Sequence, residues 1–396
     1  MASTSSAHLT CLCGAISEPG SLLAASELPI SKETCHCSSC RHATGLLAVT
    51  FPPLKGSPSQ AALSKLTPYH SSENLTRFFC STCGSHCFAF SKRSQRWSVL
   101  AGIIEPTASS KEKGLSWPKD TVKVSYHDYV ADTLDGGLVP LQLDLNGRSI
   151  PTWAVECPEP PPEDGSFDLP HATVLSLPAK SKSTLPQAKE GSLLPAKCHC
   201  GGVSLLIKRA SHASTSTSGD PNRYLPSDPT KYLSHLCACR SCRLATGASL
   251  VPWTLTPPGS IFNANSSPAT IDIDIDKPAP STVPSVDINT LQPLTFGFAA
   301  SQPGANPGLA LKHYWSSADT CWSFCGTCGA SVTYWCGRRP RELDVAVGVL
   351  RSEDGSMARS WLEWDWGRCS FAEECVDGET FAAWLGSREV MERIGG

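Results

Sequence analysis

The chain has 396 residues, 40% of them hydrophobic, with a formal net charge of −3 at pH 7. That length fits two or three domains, each able to bury a core. The near-neutral charge argues against a dedicated nucleic-acid or anionic-membrane surface, and no stretch reaches the roughly 18 apolar residues of a membrane span.

The start of the chain, through His8, is polar and lacks the basic opening and apolar run of a secretory signal. The expected localisation is therefore cytoplasmic or nuclear, not secreted. In such a compartment thiols stay reduced, and 20 cysteines in tight clusters read as metal ligands rather than disulfides.

The first cluster is Cys11-Leu-Cys13-Gly14. The second is Cys35-His-Cys37-Ser-Ser-Cys40-Arg41, followed by Gly45. Tyr69-His-Ser71-Ser72 precedes the third, Phe79-Cys80-Ser-Thr-Cys83-Gly84. Trp97–Ala101 and Thr121–Tyr126 read as short strands bounded by turns. Cys157 to Ala196 is rich in Pro, Ser and Lys and predicts an extended or disordered linker.

Beyond the linker the pattern returns. Cys198-His-Cys200-Gly201 matches the first cluster, and Cys237-Ala-Cys239-Arg-Ser-Cys242-Arg243, with Gly247, matches the second. Tyr314-Trp-Ser316-Ser317 and Phe324-Cys325-Gly-Thr-Cys328-Gly329 complete the set. Three clusters in one order with one internal spacing mean duplication. The second copy adds a polar insertion from His212 to Asp228 and a larger one near 257–307. The alternating run Ile271–Asp276 in the larger insertion predicts an exposed strand. Val203–Ile207 and Leu343–Val347 read as strands. Gly378 to Ile394 reads as a helix with Phe381, Trp384 and Leu385 on one face, and short helices are expected after Cys40 and Cys242.

The expected fold is mainly β: two tandem zinc-binding β-sheet domains, residues 1–156 and 197–396, joined by a Pro-rich linker over 157–196. Such a linker predicts little rigid docking, so each domain is expected to fold as a separate fragment.

Each copy supplies seven clustered cysteines. A structural zinc takes four protein ligands in a tetrahedron. The C-x-x-C-Gly knuckle gives two, and the first C-x-C cluster is its natural partner. Cys11, Cys13, Cys80 and Cys83 are thus the expected ligands in copy one, and Cys198, Cys200, Cys325 and Cys328 in copy two. The middle trios, Cys35, Cys37, Cys40 and Cys237, Cys239, Cys242, can each chelate one further metal. Three protein ligands with an open position mark a catalytic rather than a structural zinc. Three thiolates make that zinc a weak Lewis acid, better suited to holding an incoming thiol than to ionising water. His36 or His42 could close the first trio, but Ala238 and Leu244 stand in their places in copy two. Up to two zinc ions per domain follow.

Arg41 and Arg243 have two readings: carboxylate anchors for an anionic substrate, or arginines that satisfy loop carbonyls. Tyr69, Tyr314 and the paired serines read as packing residues. The remaining cysteines, Cys87, Cys157, Cys321, Cys336, Cys369 and Cys375, read as small buried hydrophobes.

The order C-x-C-G, C-x-C-x-x-C-R-x-x-x-G, Tyr-x-Ser-Ser and F-C-x-x-C-G resembles the family of glutathione-dependent formaldehyde-activating enzymes and centromere protein V, in both copies. The resemblance implies carbon–sulfur lyase chemistry of the S-(hydroxymethyl)glutathione synthase kind, with glutathione as the thiol partner and formaldehyde as the carbonyl. It assigns the same metal ligands as the spacing and makes the two trios the catalytic sites. Because the family also includes a chromatin-associated protein, a non-catalytic zinc scaffold for protein or chromatin binding is the competing reading. The intact trio in both copies favours the enzyme, since a scaffold needs only the four-cysteine zinc.

Overall fold

The computed structural model describes residues 7–25, 28–106, 120–158, 162–163, 166–183, 191–211, 226–266 and 287–394. The alternating run Ile271–Asp276 and most of the insertion beginning at His212 lie outside the described residues.

The β-rich segments form short strands, and the fold is mainly β. In copy one, Leu66–His70, Leu75–Cys80, His86–Ser91 and Arg96–Val99 pair in sequence as an antiparallel meander. Ile30–Cys35 lies parallel to Val122–Asp128 and antiparallel to Val49–Thr50 in a separate sheet. In copy two the counterparts of both sheets join into one seven-stranded sheet, because Val251–Thr256 pairs with Leu343–Ala346. Copy one has Pro52 and Pro53 at that seam. Proline offers no N–H to a ladder, so the strand stops at Thr50, and only an isolated bridge from Pro53 to Ser98 remains.

The expected strands occur, shifted by a residue or two at their ends. The two short helices are Ser38–Thr44 and Arg240–Thr246. The C-terminal helix is two helices, Gly378–Leu385 and Ser387–Arg393, separated at Gly386. Phe381 and Trp384 are buried, whereas Leu385 is 47% exposed. Among the described residues no helix is long and apolar enough to cross a membrane.

Part of the expected linker is ordered. Residues His171–Ser183 are helical even with Pro178 inside. Leu169, Val174 and Leu177 pack against Val130, Val139 and Leu143. The apolar spacing of these side chains outweighs the proline, which leaves one helix bond unmade. Strand Leu193–Lys197 already pairs with Ser204–Lys208, so the second sheet begins inside the segment read as linker.

The expectation of weakly docked copies does not hold. One apolar cluster joins Cys40, Leu46, Val49 and Leu100 of copy one to Cys242, Val251, Trp253 and Ala346 of copy two. The docking is reciprocal. Gly102 N donates to Gly247 O at 2.8 Å, and Gly348 N donates to Gly45 O at 3.0 Å. A Cβ on Gly102 would lie 2.2 Å from the Gly247 carbonyl carbon, and one on Gly348 would lie 2.2 Å from Leu46 O. Phe79 and Phe324 meet edge to face at 6.4 Å. Separation would uncover Leu46, Val49 and Leu100, whose burial is worth roughly 1.5–3 kcal/mol each. Linker composition reports how the copies are tethered. It carries no signal for how closely their backbones approach.

Candidate metal and thiol sites

The four-cysteine groups form where strand ends meet tight turns. Cys11 follows strand Ala7–Thr10 and Cys80 ends strand Leu75–Cys80. Gly84, at φ +77°, lets the knuckle turn back so that its N–H reaches Cys80 O at 2.9 Å. The sulfurs of Cys11, Cys13, Cys80 and Cys83 all lie within 4.8 Å of one another, as do those of Cys198, Cys200, Cys325 and Cys328. Cys11 and Cys13 are 3.5 Å apart, Cys13 and Cys80 3.6 Å, Cys198 and Cys200 3.6 Å, and Cys200 and Cys325 3.5 Å. Sulfurs about 2.3 Å from a tetrahedral zinc sit about 3.8 Å apart, so the donor sets fit that ion. Ile16 N donates to Cys11 Sγ and Val203 N to Cys198 Sγ, each at 3.3 Å, as a thiolate requires. Hydrogen bonds from Cys11, then Cys13 and Cys83, hold the Cys80 thiol well below its usual range, and Cys325 is lowered in the same way by Cys198, Cys200 and Cys328.

Each trio spans a strand end and a helix start. Cys35 ends strand Ile30–Cys35, Cys37 caps helix Ser38–Thr44, and Cys40 lies in its first turn. Cys40 N donates to Cys37 Sγ at 3.3 Å, and Cys242 N donates to Cys239 Sγ at the same distance. The three sulfurs of each trio lie within 4.8 Å of one another, and among the described residues no histidine or carboxylate joins either group. The donors fit a soft divalent ion with one position left open. Sharing of hydrogen bonds with Cys35 and Cys37, helped by Arg77, pushes the Cys40 thiol well down. In copy two the Cys239 thiol is pushed down to about 3, first by Cys237 and then by Cys242. A carboxylate braces each helix start: Asp132 Oδ2 accepts from Ser38 N at 2.8 Å and Glu374 Oε2 from Arg240 N at 2.7 Å.

Arg41 and Arg243 both hydrogen-bond loop carbonyls. Arg41 is buried and donates to His36 O at 3.2 Å, Ser38 Oγ at 3.3 Å and Asp132 O at 2.9 Å. Arg243, 2% exposed, donates to Gly102 O at 2.7 Å and Ile104 O at 3.1 Å and pairs with Glu105 at 2.6 Å. Both guanidinium groups knit loops. His36 turns to His127 at 3.0 Å, and His42 contacts Arg351. Tyr69 reaches across the interface, its hydroxyl 2.5 Å from His199 Nδ1, between Cys198 and Cys200 of copy two. Tyr314 packs in turn against the apolar core of copy one.

Sequence reasoning missed the residue that touches the first trio. Arg77 Nη2 lies 3.1 Å from Cys40 Sγ, its guanidinium rests over Phe51 at 5.3 Å, and Ser71 Oγ holds its Nε at 3.0 Å. Trp322 takes the corresponding place in copy two, three residues before Cys325. Ser316 Oγ holds its Nε1 at 3.1 Å, and Trp253 and Tyr334 pack beside it. The signal was a difference between copies at one aligned position, which a search for shared residues passes over. The first serine of each Ser-Ser pair proves to be the support for that variable side chain.

Residues 6–120 match the family model described as glutathione-dependent formaldehyde-activating enzyme. The match covers the first copy's three cysteine clusters and does not extend into the second copy. No curated protein and no solved structure matches the chain.

Proposed function

Because residues 6–120 match the family model described as glutathione-dependent formaldehyde-activating enzyme, we propose that the chain is a zinc-dependent carbon–sulfur lyase. Its substrates are a thiol, glutathione, and a small carbonyl such as formaldehyde. The observation that carries this reading is the trio, three sulfurs within 4.8 Å at a helix cap with no fourth protein donor among the described residues. Cys11, Cys13, Cys80 and Cys83, and Cys198, Cys200, Cys325 and Cys328, would hold structural zinc. Cys35, Cys37 and Cys40, and Cys237, Cys239 and Cys242, would hold the substrate-side ions. Zinc bound there would supply a soft Lewis-acidic position for a sulfur. The two copies are proposed as domains 1–156 and 197–396, acting in the cytoplasm or nucleus.

The protein's own part is to place reactants. The helix start at Ser38 orients the trio, and the buried Arg77 cation offsets its negative charge. The thiol sulfur adds to the carbonyl carbon, and its proton passes to the carbonyl oxygen, giving an S-hydroxymethyl adduct. The reverse step breaks that carbon–sulfur bond. Holding both partners together lowers the entropic part of the barrier.

The test is exchange between glutathione and formaldehyde, measured above the uncatalysed background. Wild type is expected to accelerate it, and Cys37→Ser combined with Cys239→Ser to abolish the excess while two zinc ions per chain remain. No acceleration with several thiols and carbonyls would move the protein to the scaffold reading. The commitment of Arg41 and Arg243 to loop carbonyls is the observation that favours that second reading.

A further inference from the structure

The two trios share a backbone but differ in what faces them. Arg77 is 1% exposed, in contact with Cys40 Sγ at 3.1 Å, and its Nη1 is buried with no hydrogen-bond partner. In copy two, Ser316 holds an indole in that place at 3.1 Å, packed 4.6 Å from Tyr334 between ring centroids. Three thiolates on a divalent ion leave a site of net charge about −1, and a fourth thiolate makes it about −2. An uncompensated charge of that size in a buried site is costly, and a cation in contact reduces the cost.

We propose that position 77 in copy one and position 322 in copy two set the charge of the fourth ligand. The first trio takes an anionic thiolate, and Arg77 is its counter-ion and a positioning residue. The second trio, which shares one apolar cluster with Trp322, Trp253 and Tyr334, takes a neutral nitrogen or oxygen donor. This rests on the zinc-and-thiol reading above and adds that the copies bind different ligand classes.

The experiment uses the full chain loaded with cobalt(II), whose thiolate charge-transfer bands report a change of ligand. Cys239→Ser isolates the first trio and Cys37→Ser the second. Each is titrated with glutathione and, separately, with imidazole. The glutathione-to-imidazole affinity ratio is expected to be at least about tenfold higher at the first trio. Arg77→Met should bring that ratio down to the second trio's value, Arg77→Lys should keep it, and Trp322→Arg should raise the second trio's ratio. Equal ratios at the two trios, or an unchanged ratio in Arg77→Met, would overturn the assignment and leave the zinc-and-thiol reading standing. Failure of both trios to take up cobalt would overturn both.

Discussion

The four-cysteine sites of the two copies are near replicas, whereas the three-cysteine sites are not. The first kind repeats sulfur for sulfur, down to a backbone N–H on Cys11 and on Cys198 at the same 3.3 Å. The second kind repeats its sulfurs and helix cap but exchanges Arg77 for Trp322 and Phe51 for Trp253. A metal that holds a fold tolerates little change around it. A site that meets a ligand can change its walls without losing its frame, because Arg77 and Trp322 lie on other elements than the cysteines of their trio.

The largest effect should come from the replicas. Structural zinc contributes apparent binding energies of roughly 10–16 kcal/mol coupled to folding, as large as the whole stability of a domain. Cys83→Ser and Cys328→Ser are each expected to lose zinc and unfold. Because the copies share a core, one thermal transition should disappear in either variant. A calorimetric trace in which only the mutated half melts would restore the picture of independent copies. Cys37→Ser and Cys239→Ser are expected to keep the fold.

Next come the docking glycines. Gly102→Ala and Gly348→Ala push a Cβ into backbone 2.2 Å away, and each should lower stability by about 2 kcal/mol or more. For the same reason, fragments 1–183 and 191–396, which keep helix His171–Ser183 and strand Leu193–Lys197 with the copies they pack on, should be unstable apart and recover structure when mixed, read by circular dichroism. Folded, monomeric fragments would show that the interface is dispensable.

A smaller, pH-dependent effect separates two aspartates at matching positions. The Asp135 carboxyl is raised by burial, but Arg359 and donors from Gly137 N, Ser356 Oγ and Met357 N offset part of that rise. Asp377 keeps Oδ1 buried and unpartnered, and burial raises its carboxyl to about 7. Because the folded form then holds a proton that the unfolded form releases near its usual 3.8, stability falls as pH rises between those values. Asp377→Asn should remove that loss, gaining on the order of 2–4 kcal/mol at pH 8 relative to pH 4. Asp135→Asn should destabilise, since a carboxylate that receives three donors loses an acceptor. Melting curves at the two pH values decide it. An Asp377→Asn profile parallel to wild type would refute the assignment.

The smallest effect is at the crossing tyrosine. Tyr69→Phe removes the contact with His199 and should cost about 0.5–1.5 kcal/mol in chemical denaturation. No loss would mean that the tyrosine packs and does not bond.

The cysteine clusters were legible in the sequence because coordination of one ion restricts ligand spacing along the chain. Cys80 and Cys83, like Cys11 and Cys13, must lie within a few residues of each other for one turn to offer both sulfurs to a single ion. The short helices followed from the same clusters. The docking of the copies was not legible. It depends on Gly45, Gly102, Gly247 and Gly348, and a glycine's sequence context does not say which other backbone it admits. The split of one sheet in copy one and its continuity in copy two could have been read from Pro52 and Pro53. Arg77 stayed hidden because its contact with Cys40 crosses 37 residues and two strands.

The reciprocal glycine contacts also bear on how such a molecule changes over generations. Two identical chains packed by the same contacts carry every substitution twice, once in each half of the symmetric pair. A useful replacement near one site would be forced on the other, and a harmful one would strike both. A single chain with both halves releases that constraint. Position 77 and position 322 are written separately, so one half can keep an inherited task while the other drifts towards a new one, each still supported by its neighbour.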